Sequence, residues 1–106
     1  MDIIRLKNWI LDRNIEKISV SSFWKTFEVY RSESEEEFFK IFRDFNRSEL
    51  IVKIQSVSLK LGNWPECDYN HIVVTIPIIY KNKNLGNYDL LFSLDGEIDD
   101  DYFVIF

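Results

Sequence analysis

An α+β fold, with N-terminal helices packed on a curved antiparallel β-sheet of four to five strands, follows from the hydrophobic pattern. In the first 45 residues the apolar side chains recur mainly at helical spacing, and from Leu50 onward they recur every second residue. Two punctuation signals support this division. Ser34 followed by Glu37 is a capping box that opens a helix, and Asp95-Gly96 between apolar alternations is a hairpin signal. The 106 residues are 46% apolar and 16% aromatic, which is enough for one domain, residues 1–106, with a core dominated by aromatic rings.

Ile3 to Asp12 reads as the first helix, with Ile3, Leu6 and Ile10 on one face and Trp9 beside them. Asn14 stops it, and Ile15 and Ile18 pack beneath the exit. Ser22 to Arg31 carries two signals. Phe23, Phe27 and Tyr30 fit a helical stripe, whereas Thr26 to Tyr30 is rich in strand formers. The composition tips the expectation to a strand from Lys25. Glu35 to Phe45 is a helix, with Glu35 and Glu36 at its positive end and Phe38, Ile41, Phe42 and Phe45 on one face.

Leu50, Val52 and Ile54 alternate with polar residues, and Val57, Leu59 and Leu61 continue one residue out of phase. A β-bulge near Gln55-Ser56 restores a single buried face. Gly62-Asn63-Trp64-Pro65 closes that strand. Ile72, Val74, Ile76, Ile78 and Tyr80 form the next buried face, in which Pro77 implies an edge position or a second bulge. Asn82-Lys83-Asn84 is a turn, Tyr88 to Leu94 a strand, Asp95-Gly96 a two-residue type I′ turn, and Tyr102 to Phe106 the last strand. Long bulged strands curling around a helix resemble cystatin-like or NTF2-like cones, an analogy of fold alone.

Composition narrows the function. The net charge of −5 argues against nucleic acid as a partner and suits a basic protein. Cys67 is the only cysteine, no signal-peptide pattern opens the chain, and no stretch has the length of a membrane span. The expected location is cytoplasmic. The absence of Ala beside abundant Ile, Asn, Lys and Phe suggests an AT-rich bacterial gene. Catalysis would rest on Cys67, Asp68 and His71, which lack a glycine-rich oxyanion loop. Asp95, Asp99, Asp100 and Asp101 fail the EF-hand spacing, and thiolate and imidazole are too few for zinc. The expectation is therefore no enzyme, no metal and no cofactor.

Two acidic clusters hold nine of the 18 acids. Glu33, Glu35, Glu36 and Glu37 match a helix dipole. Asp95, Glu97, Asp99, Asp100 and Asp101 are harder to explain, because consecutive aspartates repel one another and disfavour strands. A cationic partner offsets that cost, with Tyr88 and Tyr102 as aromatic anchors. An edge strand also permits a homodimer. A pocket lined by Trp9, Trp24 and Trp64 would instead mark a small-ligand-binding or regulatory domain.

The stretch His71 to Phe106, with its IVVTIPIIY strand, NLGNYDLLFSLDG hairpin and IDDDYFVIF ending, resembles the small acidic immunity proteins of bacterial toxin systems, contact-dependent growth inhibition among them. The resemblance covers about a third of the chain. It implies tight cytosolic binding to a cognate toxin domain, often a nuclease with a basic surface, and transfers no individual residue.

Overall fold

The computed structural model describes residues 1–106. Three helices, α1 (Ile3–Asp12), α2 (Ile15–Glu33) and α3 (Glu35–Ile41), precede β1 (Leu50–Ile51), β2 (Ser56–Gly62), β3 (Tyr69–Tyr80), β4 (Lys83–Phe92) and β5 (Ile98–Ile105). The sheet is antiparallel throughout. β3 lies at its centre, with β1 and β2 end to end on one side and β4 then β5 on the other. The helices cover one face of this sheet and leave the other without a helical layer. The molecule measures 45 × 26 × 20 Å, its length set by β3, whose 12 residues span about 40 Å.

α1 starts at Asp2, whose Oδ1 accepts the Arg5 amide at 2.8 Å, the N-cap contact that satisfies one orphan donor. Its apolar face is narrower than the spacing implies. Trp9 is buried, Leu6 and Ile10 are half-buried, and Ile3 is 75% exposed. Asn14 breaks the chain in the left-handed conformation (φ 52°), and α2 begins at once.

Ser22 to Arg31 is helix, not strand. Ile15, Ser19, Phe23 and Phe27 are the buried residues of α2, a run at i, i+4, i+8 and i+12, with Tyr30 half-buried one turn on. Ser19 hides this stripe from a hydrophobicity pattern because its place in it is filled by a small polar residue. α3 is shorter than its apolar spacing implies. It ends at Ile41, and Asp44 turns left-handed (φ 50°). Phe42 and Phe45 still reach the core against Tyr80, Phe42 edge-on at a centroid distance of 5.2 Å and Phe45 stacked at 5.6 Å. Ser34 joins α2 directly to α3 and its side chain makes no capping hydrogen bond, so the capping box is not formed.

The expected register offset is present as a gap between β1 and β2. Ile51 pairs with Ile79 and Ser56 with Thr75, so the four residues 52–55 stand against the three residues 76–78. Pro77 occupies the central strand, not an edge. Thr75 accepts from Gln55 N at 2.9 Å, so alternation turns the backbone of Pro77 toward that gap, where no donor is needed. The β3–β4 turn is Lys81-Asn82, one residue earlier than expected, and both have positive φ (49° and 66°), as a type I′ turn requires.

The core is aromatic. Phe23, Phe27, Phe38, Phe42, Tyr88 and Phe92 are fully buried, with Ile72, Val74, Ile76 and Ile78 supplying the sheet side. The three tryptophans share no cavity. Trp9 meets Phe92 edge-on, Trp24 packs on Phe23 and Phe27 beneath Arg47, and Trp64 is 77% exposed in the β2–β3 turn.

Candidate functional site

The acidic ending forms β5, an edge strand paired only with β4, and its alternation divides the aspartates. Leu91 pairs with Asp100 and Phe92 with Ile98, so Asp99 is an extra residue, a β-bulge. Asp100, opposite Leu91, faces the helix-free side of the sheet. Its Oδ2 accepts from Tyr102 Oη at 3.0 Å and its Oδ1 from the Asp101 amide at 2.8 Å. The bulge brings Asp99 to the same side, beside the Tyr69 phenol. Hydrogen bonding toward Asp99, followed by burial and the charge of that carboxylate, raises the Tyr69 phenol above its ordinary pKa. Tyr102 is raised in the same way, first by its hydrogen bond to Asp100 and then by the charge of that carboxylate.

Asp101 turns to the helix side. Its Oδ2 accepts from Tyr88 Oη at 2.8 Å and Thr26 Oγ1 at 3.1 Å, and Ser22 Oγ lies 2.7 Å from the same phenol oxygen. This carboxylate ties β5 to α2 while remaining exposed. Tyr88 is fully buried, contrary to its expected role as a surface anchor, because even-numbered β4 residues face the core. Burial, the largest influence, raises its phenol pKa. Tyr102, by contrast, is 52% exposed.

Asp95 and Glu97 lie at the β4–β5 turn, both exposed. The turn is a three-residue loop rather than type I′. Gly96 N donates to Ser93 O at 3.0 Å, Ser93 N to Glu97 O at 2.8 Å, and Gly96 alone has positive φ (89°). Two side chains from the end of α1 hold it. Trp9 Nε1 donates to Leu94 O at 3.0 Å and Arg13 Nε to Asp95 O at 3.3 Å. The loop is fixed through its backbone, which leaves the carboxylates outside.

Glu33, Glu35, Glu36 and Glu37 are all exposed around the α2–α3 junction and, with Ser32, Ser34 and Lys40, line a shallow depression of about 590 Å³. Burial and then the charge of Glu37 raise the Tyr30 phenol pKa. The fold keeps this cluster apart from the other. β5 follows α2, with Asp101 at Thr26 and Phe103 at Tyr30 (5.1 Å between ring centroids). Glu33 lies beyond, two helical turns or about 10 Å past Thr26.

The helix-free face adds Tyr69, which sequence reasoning passed over, and sets beside it His71, which was weighed only for catalysis. Tyr69, 44% exposed, packs its ring on His71 at 4.9 Å and 41°. His71 is only 4% exposed although no helix covers it, and neither ring nitrogen has a hydrogen-bond partner. It therefore makes no hydrogen bond with Cys67, and the pairing a nucleophile needs is not assembled. Asp68 instead accepts from Asn63 Nδ2 at 2.7 Å within the turn. Alternation along β3 was the available signal: with Ile72 inward, Tyr69 and His71 must share the outer face. No group of three His, Cys, Asp or Glu side chains is placed to hold a metal ion. No helix is long and apolar enough to cross a membrane.

The site is thus Asp99 and Asp100 beside Tyr69 and Tyr102, with His71 under the Tyr69 ring and Asp95 and Glu97 at the adjoining turn. Comparison with protein-family models, curated proteins and solved structures finds no match to the chain.

Proposed function

We propose that the protein is a non-enzymatic inhibitor, an immunity protein that binds and neutralises a cognate bacterial toxin domain in the cytoplasm. The favoured target is a nuclease, whose basic surface complements the acidic one. The observation that carries this reading is the bulge at Asp99, which turns two adjacent carboxylates to one face between two half-exposed tyrosines. Rigid carboxylates steer a basic partner and aromatic rings slow its departure. Asp95 and Glu97 extend the negative field along the same end, and the Glu33–Glu37 cluster is a separate face that this docking does not use.

Co-expression with the toxin encoded beside the gene tests the proposal. The intact protein restores growth, and the variant D95N/E97Q/D99N/D100N, with Asp101 retained for folding, restores it far less. Undiminished toxicity in the presence of intact protein, or no toxin gene beside it, overturns the inhibitor reading. Full protection by the variant overturns the surface. Complex formation by the purified pair weakens as salt rises, because the steering charges lie in water.

A further inference from the structure

His71 presents an unmet demand. Both imidazole nitrogens are buried without a hydrogen-bond partner, a state disfavoured by the desolvation of each polar atom. The ring projects on the helix-free face, two residues from Val73, which pairs with Leu91, itself opposite Asp100. It shares that face with Asp99 and Asp100, under the Tyr69 ring whose phenol lies beside Asp99.

We propose that this patch is a subsite for one guanidinium side chain of a protein partner, an assignment that rests on the inhibitor reading and names the group the surface receives. Charge selects a cation: two carboxylates stand on the rim, and the nearest base on this face is Lys60, paired with His71 across the sheet. Geometry selects guanidinium over ammonium. Its planar fork bonds Asp99 and Asp100 together, its face stacks on a tyrosine ring, and a remaining N–H reaches the unpartnered nitrogen of His71. An incoming N–H replaces the Tyr69 hydroxyl at Asp99. The tyrosine ring then lifts from His71, which uncovers the nitrogen that lacks a partner.

The test is an NMR titration of the full-length labelled protein with blocked arginine amide, and with blocked lysine and citrulline amides as probes of charge and shape. Arginine amide shifts the Tyr69, His71, Asp99, Asp100 and Tyr102 signals saturably and moves a His71 ring nitrogen toward its hydrogen-bonded position. Lysine amide binds more weakly and neutral citrulline amide not at all. D99N/D100N weakens arginine binding about tenfold or more, while E35Q/E36Q, on the separate acidic face, leaves it unchanged. Shifts confined to Glu33–Glu37 or the turn, equal binding of lysine, or a His71 signal unmoved at saturation overturn the subsite. Protection from the toxin by a variant that no longer binds arginine removes the subsite and keeps the inhibitor. Saturable arginine binding without protection does the reverse.

Discussion

Ser19 lies in the middle of α2 with its hydroxyl buried and without a hydrogen-bond partner. Alanine removes that desolvated group and is the better helix former, so Ser19→Ala should stabilise the protein by about 1 kcal/mol in urea unfolding. A loss of stability would show that the hydroxyl has a partner in solution. Asp101 and Asp100 differ by one position and face opposite sides. Asp101→Ala strips the acceptor from Tyr88 and Thr26 and should cost about 1–2 kcal/mol. Asp100→Ala, whose partners are exposed, should cost clearly less. The same unfolding experiment ranks the two. Gly96 stands at φ 89°, and a Cβ there would meet Arg13 Cδ at 2.5 Å. Gly96→Ala should destabilise by about 1–2 kcal/mol, only partly relieved by Arg13→Ala because the backbone strain remains.

At the level of elements, period was a sounder guide than composition. Phe23, Phe27 and Tyr30 carry the helical spacing of α2 in full view, yet the strand-forming character of Thr26 to Tyr30 argued against it. Packing on Phe103 and Tyr88 overrides that preference. Phe23→Ala should cost about 3–5 kcal/mol and lower helical circular dichroism, since α2 is held by this contact more than by its own propensity. The one-residue offset before β2 was legible because it left a phase change in the apolar alternation. The offset at Asp99 was not, since Asp99, Asp100 and Asp101 are alike and show no phase. The outer aspect of β3 was equally readable from alternation, but the burial of His71 depends on Tyr69 reaching over it, which no local pattern encodes.

The whole molecule is a thin two-layer structure with a radius of gyration of 15.3 Å, against about 13 Å for a compact chain of this size. Its tyrosines make stability sensitive to alkali. Tyr30, Tyr69, Tyr88 and Tyr102 all have phenol pKa values raised in the folded state. The unfolded chain ionises first, near pH 10, and above that point it holds fewer protons than the folded one. The contribution is complete below about pH 10 and is lost as pH rises through the folded values. Urea midpoints measured from pH 8 to 11 should stay level and then fall, in step with phenolate absorbance. A rise above pH 10 would contradict the placement of these phenols beside carboxylates and in the core.

The bulge at Asp99 also bears on how the length of this chain can change. In a sheet, removing one residue turns every later side chain over, so a deletion at Tyr102 would send Phe103 and Ile105 outward and Val104 into the core. Removing Asp99 does not, because Ile98 opposite Phe92 and Asp100 opposite Leu91 already stand in the phase of an unbroken ladder. The run Asp99-Asp100-Asp101 is therefore the place on β5 where a related sequence can lose one residue and keep the fold, giving up one carboxylate and nothing from the core.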